Sequence, residues 1–376
     1  MRPLVLISGL GPGGAERVTV SCLVRLARQG RAVPLCTVTG PGDGRLAAEL
    51  AGAGVVRHGL AARRLADPPA LLRLLRLLHQ GRHDLVHAHG QDATIMAAAA
   101  CALSRLPLVV TRHALDEWRC GRHPRARVLA ARLALRRADA VVAVSAATAL
   151  ALARATRVPR DRVRVIPNGI DLERFGAVPE DTRARTRAAL GAEADDALVL
   201  FPAVLRDGKG HDVLLSALPQ IRALVPRARV LIAGVGPLEA ALRARARAMG
   251  DAVTFLGHRD DMPALLAAAD LVVLPSRSEA LPTALIEAAA AGRAVVATHV
   301  GGVEEVVVHD HTGVLIPPGN VTALVAAVCT LLLDPARADA LGAAARARVG
   351  GRFDIDDQAR RTWQLWQEFA GHGAHR

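Results

Sequence analysis

Between Leu271 and Gly302 the chain reads LVVLPSRSEALPTALIEAAAAGRAVVATHVGG. A short aliphatic run, Leu271–Leu274, gives way to a polar segment ending at Glu279. Pro282 is placed to be the first residue of an alanine-rich helix running to Gly292. A second aliphatic run, Ala294–Ala297, then leads into Gly301-Gly302. Two short apolar runs joined by a helix read as a βαβ unit, whose strands must run parallel.

The same alternation extends outward in both directions. In the first half the strand candidates are 4–7, 32–38, 84–87, 108–111, 140–144 and 163–166. In the second half they are 197–204, 229–233, 253–256, 271–274, 294–297 and 314–316. Longer Ala/Leu/Arg stretches separate them, so each half predicts its own doubly wound parallel sheet. The expected fold class is α/β, with two Rossmann-like domains. The turn chemistry of Pro167-Asn168-Gly169 puts the boundary near 172. An N-terminal domain over 1–172 and a C-terminal domain over 173–355 follow, with a last helix over 356–371 returning to the first domain. Trp363, Trp366 and Phe369 share one side of that helix at i, i+3, i+6.

Length and composition agree with two domains. The chain has 376 residues, 51% of them hydrophobic, so two cores can be buried. With five Phe, three Trp and no Tyr, the cores are aliphatic, and the stacking platforms of single-strand nucleic-acid binders have little material. No nucleic-acid partner is expected. Cys22, Cys36, Cys101, Cys120 and Cys329 show no C-x-x-C spacing, which reads as reduced thiols and a cytoplasmic setting. The Leu4–Ile7 run is too short for a signal-peptide core. The runs 93–103 and 140–153 fall short of the roughly 20 residues a spanning helix needs. The formal charge of +13 is uneven, at +15 over residues 1–175 and −2 over 176–376. Different partners for the two halves are implied.

Several motifs lie where strands end. Gly9, Gly11 and Gly14 fit G-x-G-x-x-G by spacing, with a helix from Ala15. A dinucleotide site also wants an acid at the end of the second strand, and Cys36-Thr37-Val38-Thr39 has none. A loop whose amides approach a phosphate or sugar is the better reading of Gly13 and Gly14. Lys209 is the only lysine against 47 arginines. In a chain that uses arginine for general cationic duty, a compact ammonium between a strand and a helix start at His211 suits a diphosphate, with Arg206 as a second counter-charge. Glu279 and Glu287 flank the helix start, suited to accept hydrogen bonds from hydroxyls at the two ends of a nucleotide sugar. The amides of Ala280, Leu281, Pro282 and Thr283 lie between them; proline contributes no N–H. Gly301-Gly302 lets backbone approach a ligand closely, and Glu304 and Glu305 open a short helix.

In the first half, His87-Ala88-His89-Gly90 and Thr111-Arg112-His113 each follow a strand. Metal ligands, a polar wall and satisfied structural histidines are all open readings of these histidines. Asp354-Ile355-Asp356 fits the D-x-D of metal-dependent sugar transferases, and equally fits acids opening a helix. No metal is expected. Neither a G-x-S-x-G elbow nor a P-loop is present.

Taken together, GGAER, ADAVVAVS, VIPNGID, LRDGKG, AGVGP, VTFLGHRDDM, SEALPTALIEAAAAGRAVVATHVGGVEEVV and HTGVLIPPGN resemble glycosyltransferase family 4 over nearly the whole chain. The resemblance implies the retaining, two-domain GT-B fold, with two Rossmann-like domains facing across a cleft. It implies that Glu279 contacts the donor sugar, Glu287 the ribose, and Lys209 the diphosphate, with the glycine loop at Gly13-Gly14 and the histidine near the transferred sugar at His113. The catalytic set it implies is His113, Lys209 and Glu279. Departures are Val204 where the family often has Arg, Ala280 for a usual Gly, and Glu304 for a common Pro. Arg206, as in the LRxxKGH variant, replaces the missing arginine.

The expected activity is metal-independent transfer of a sugar from a nucleotide-diphosphate donor, UDP-sugar ahead of GDP- or ADP-sugar. A nucleotide-sugar 2-epimerase of the same plan and a non-catalytic sugar-nucleotide-binding module are the rivals. The stretch LLRLLRLL, 71–78, and Arg122, Arg125, Arg127, Arg132, Arg136 and Arg137 read as basic amphipathic helices. They point to a glycan or lipid-linked acceptor and to peripheral contact with an anionic membrane face.

Overall fold

Strand and helix alternate through the chain, and every named strand pairing is parallel. The structure, a computed structural model, describes residues 1–11, 13–40, 42–64, 67–115, 125–176, 178–179 and 181–370. It divides into two units, Met1–Gly169 with Ile355–Arg376, and Ile170–Asp354. The division falls after Gly169 and not after Leu172, because Ile170 already bonds to Phe353 in the second unit (N to O, 2.9 Å).

The first unit contains β1 (Pro3–Ile7), α1 (Gly14–Arg28), β2 (Leu35–Thr37), α2 (Arg45–Gly52), β3 (Arg57–Gly59), α3 (Pro68–Gln80), β4 (Leu85–His89), α4 (Gln91–Ser104), β5 (Leu108–Arg112), α5 (Arg125–Arg137), β6 (Ala140–Ala143), α6 (Ala146–Thr156) and β7 (Val163–Val165). Its sheet runs β3-β2-β1-β4-β5-β6-β7. Side chains alternate across the sheet. Leu4, Leu6, Val86 and Val110 join α3 and α4 in one core, while Val5, Ile7, Val109 and Val142 join α1 in the other. The sequence reading missed β3. Its residues, Arg57-His58-Gly59, are polar and half-buried, and only the register with Leu35–Thr37 makes them a strand.

The second unit contains α7 (Leu172–Gly176), α8 (Thr182–Ala189), β8 (Ala197–Pro202), α9 (His211–Leu224), β9 (Ala228–Ala233), α10 (Glu239–Ala246), β10 (Val253–Gly257), α11 (Met262–Ala268), β11 (Leu271–Leu274), α12 (Thr283–Ala290), β12 (Val295–Thr298), α13 (Val303–Val306), β13 (Val314–Ile316), α14 (Val321–Leu333) and α15 (Pro335–Val349). The sheet order is β10-β9-β8-β11-β12-β13. Several arginines here are tied down. Arg187 and Arg183 bind Asp270, and Arg227 and Arg229 bind Asp196. Pro282 precedes α12 as its N-cap, with extended backbone, and is not its first helical residue.

The last helix, α16 (Ile355–Ala370), belongs to the first unit and packs on α1. Trp366 is buried against that unit's core, with Trp363 and Phe369 packed beside it. The Asp354–Asp356 pair is split between the units, and Asp356 is engaged by Arg25 and Gln29. Among the described residues no single helix is long and apolar enough to cross a membrane, although α14 and α15 pass such a test together as a sharply bent pair. Cys22, Cys36, Cys101 and Cys329 are free and buried; Cys120 lies outside the described residues.

Candidate active site

In a sheet of order 3-2-1-4-5-6, the loops after the first and fourth strands part in opposite directions and leave a crevice at the switch point. Both sheets have that order over their first six strands. In the second unit the two loops are 203–210 after β8 and 275–282 after β11. They carry Lys209 and Glu279.

The ammonium of Lys209 lies 2.6 Å from Oε1 of Glu279. The same oxygen accepts from the hydroxyl of Ser276 at 2.7 Å. Both charged groups are largely shielded, the side chains being 15% and 9% exposed, so their attraction is screened less than a surface pair's. Ser276 is fixed in turn: its carbonyl accepts from the hydroxyl of Thr298 on β12. Backbone holds the loops together. The amide of Arg277 donates to the carbonyl of Gly208 at 2.7 Å, and that of Gly302 to the carbonyl of Glu279 at 3.0 Å. Gly210 has φ +80°, and a Cβ there would lie 1.9 Å from the carbonyl oxygen of Pro275, so only glycine permits this approach. Arg277 also closes a two-pronged pair on Asp212, at 2.9 and 2.6 Å.

The other expected residues of this unit lie on the same loops, on α12 and between β12 and α13. Arg206 is exposed on the Lys209 loop, and Glu287 is half-buried in the second turn of α12. Ala280 and Leu281 are buried, leading through Pro282 to Thr283 at the helix start. The amides of a first helical turn have no partner within the helix. Gly301 and Gly302 lie between β12 and α13, and Glu304 pairs with His299 at 2.8 Å.

In the first unit the corresponding loops follow β1 and β4. Gly13 caps α1, and the carboxylate of Glu16 folds over it, 2.1 Å from where a Cβ would be. Gly14 starts the helix and faces open space. At the ends of β4 and β5 stands a row of rings, buried at His87 and His89 and half-buried at His113. His87 and His89 lie 4.3 Å apart by centroid, and His89 and His113 are stacked at 5.3 Å. Nδ1 of His89 lies 3.0 Å from Nε2 of His113 and 3.1 Å from the hydroxyl of Thr19. His87 bonds the hydroxyl of Thr111 at 2.7 Å and receives the indole N–H of Trp366 at 3.0 Å. Burial drives these rings toward the neutral form: His87 falls to about 3, His113 to about 4, and His89 well below its ordinary value. His87 is thus a satisfied interior histidine. Among the described residues no group of three or more side chains has the arrangement to hold a metal ion.

Four contributors escaped the sequence reading. Thr19 is an ordinary hydroxyl whose partner His89 lies 70 residues away. Ser276 bonds Glu279 on its own loop, but its place beside Lys209 and under Thr298 comes from distant segments. Trp366 looked only like core. His211 follows the Lys209-Gly210 pair directly, which was the available signal. Its ring packs on Phe201 at 4.6 Å, neither ring nitrogen has a partner among the described residues, and burial lowers its pKa to about 4.

Two Rossmann-like units with a Lys209–Glu279 pair at the switch point of the second fit a glycosyltransferase of GT-B type, and comparison with known proteins shows the family. Residues 12–174 match Glycosyltransferase Family 4, and residues 182–348 match Glycosyl transferases group 1. The chain belongs to glycosyltransferase family 4. It is 33% identical over 311 residues to the GDP-mannose-dependent alpha-(1-6)-phosphatidylinositol monomannoside mannosyltransferase of Mycolicibacterium smegmatis, covering 78% of each chain. It is 32% identical to a glycogen synthase of Mycobacterium tuberculosis, over 76% of this chain and 69% of that one. Among solved structures, Anabaena HepE in complex with UDP-glucose superposes with a TM-score of 0.85 at 25% identity, covering 98% of this chain and all of HepE (100%).

Proposed function

We propose that this glycosyltransferase moves a sugar from a nucleotide-diphosphate donor to its acceptor with retention of anomeric configuration and without a metal ion. The observation that carries the reading is the Lys209–Glu279–Ser276 cluster at the switch point of the second unit. A leaving diphosphate is the largest charge that develops in the transition state, and fixed cations and helix amides stabilise it without reorganising. Lys209, Arg206 and the start of α12 supply those groups. Glu279 accepts from a hydroxyl of the donor sugar, and Glu287 from the ribose. With the counter-charge supplied by side chains, the leaving phosphate itself takes the acceptor's proton on the face it departs from, and the configuration is kept. Gly13, Gly14, Gly301 and Gly302 bring backbone close to the substrate, and His113 contacts the transferred sugar.

The donor is proposed to be a UDP-sugar, supported by the whole-chain likeness to HepE in complex with UDP-glucose. The GDP-mannose-dependent relative makes GDP-mannose the competing donor. The test is calorimetric titration with UDP, GDP and ADP, together with hydrolysis of UDP-glucose and GDP-mannose in excess EDTA. Binding of UDP ahead of the other two, and turnover unaffected by EDTA, is expected. Activity lost in EDTA and restored by a divalent ion overturns metal independence.

A lipid-linked acceptor at an anionic membrane surface is favoured by a separate observation. On α5 the buried side is Ala131, Ala134 and Leu135, while Leu129 and Leu133 stay 58% and 55% exposed among the exposed arginines 125, 132, 136 and 137. On α3, Leu72 is 52% exposed beside Arg73 and Arg76. Outward leucines set among arginines suit the boundary between acyl chains and anionic headgroups. Arg122 of the basic run lies outside the described residues.

A further inference from the structure

His87 and His89 leave β4 on the same face because they are two residues apart, and Thr111 and His113 do the same from β5. The register sets His89 beside Thr111. Four rings consequently form a continuous row from α16 to the mouth of the sheet: Trp366, His87, His89 and His113.

The protons in this row can be assigned one by one. An indole N–H only donates, so Nδ1 of His87 accepts from Trp366 and carries no proton. A neutral imidazole has one N–H, so His87 holds its proton on Nε2 and gives it to Thr111. The hydroxyl of Thr19 donates to the carbonyl of Ala15 at 2.8 Å, the ordinary bond of a threonine inside a helix. Its single proton is thereby used, and toward His89 it can only accept. Nδ1 of His89 must be the donor, and its one in-plane N–H is shared between Thr19 and Nε2 of His113. Nε2 of His113 therefore accepts, which leaves the proton of His113 on Nδ1. That atom is buried and has no hydrogen-bond partner among the described residues. A buried N–H without a partner destabilises the fold, so it is worth retaining where a substrate oxygen satisfies it.

We propose that Thr19 and His89 lock His113 in its Nδ1–H tautomer, making His89 a positioning residue and His113 a hydrogen-bond donor to an oxygen of the sugar. His113 then has no lone pair to spare for the acceptor's proton: its Nε2 lone pair is occupied by His89 and its Nδ1 already carries hydrogen. It orients and polarises the sugar and is not the general base. The inference rests on the reading that His113 touches the transferred sugar.

The test is long-range proton–nitrogen correlation NMR on the full chain labelled with 15N-histidine, with His113 assigned from the His113→Asn variant. The expected pattern is protonated Nδ1 on His113 and His89 and protonated Nε2 on His87. His113 protonated on Nε2 in the wild type overturns the inference without any variant being needed. In His89→Phe, His113 is expected to move toward the Nε2–H form, and UDP-glucose hydrolysis to lose about tenfold in kcat with KM little changed. Wild-type kcat together with an unmoved His113 signal overturns the positioning role. His113→Ala separates the two layers. Wild-type hydrolysis in that variant removes the sugar contact while the tautomer pattern stands, whereas an Nε2–H pattern with impaired His113→Ala removes the tautomer assignment alone.

Discussion

The two switch points share one topology and differ in chemistry. In the second unit the crevice holds an ammonium against a carboxylate, with an arginine exposed beside it. In the first it holds a row of neutral rings. A diphosphate needs fixed positive charge, whereas sugar hydroxyls need hydrogen bonds of defined direction, and a neutral imidazole provides one donor and one acceptor. The fold sets where ligands bind and the residues at the strand ends set which ligands.

The sharpest way to break this comparison is at Lys209. Replacing it with Ala is expected to lower kcat/KM for donor hydrolysis by about 10²–10³, the loss typical for removing one donor to a developing anion. Lys209→Arg is expected to rescue poorly, since a planar guanidinium does not occupy the place of a compact ammonium. Steady-state kinetics decides both, and activity within twofold of wild type for Lys209→Ala would remove the charged half of the contrast.

A smaller effect separates the units by pH. Histidines held below their ordinary pKa in the folded chain bind protons more readily when unfolded, near 6.5. Above that value they leave stability untouched. As pH falls through 6.5 toward about 4 the unfolded state gains protons that the folded state refuses, and stability drops. His87, His113 and His211 each cost about 2 kcal/mol at pH 5. Among the described residues four histidines held low, His83, His87, His89 and His113, lie in the first unit, and only His211 in the second. Hydrogen exchange between pH 7 and 5 should show the first unit loosening before the second; simultaneous loosening contradicts the assignment.

The smallest effect concerns the outer surfaces. Co-sedimentation with vesicles containing phosphatidylglycerol should exceed that with phosphatidylcholine alone, and Arg132→Gln should weaken it by about 1 kcal/mol. Equal binding to both vesicles would reduce the outward leucines and arginines of α5 to a solvated helix face.

Much of the candidate site was legible because Lys209 is of a rare residue type and the acids flank a helix start. A solitary lysine among 47 arginines announces itself, and Glu279 and Glu287 flank a proline that opens a helix. Ser276 was not legible. Nothing in its local sequence marks it, and what distinguishes it is a carboxylate on its own loop and the hydroxyl of Thr298 on the next strand. The polar strand β3 was missed for a related reason, since its residues lack the aliphatic run that marks a strand and acquire their structure from β2.

Local chemistry by itself determined the alternation of strand and helix, the two-unit plan and the type of charge at each strand end, because periodicity and turn residues act over a few positions. Tertiary structure alone decided the pairings. Lys209 meets Glu279 across 70 residues, and Trp366 reaches His87 across 279. A proton's place on an imidazole depends on which neighbour can only give and which can only take, and those neighbours are brought together by the packing of α1 and α16 on the sheet.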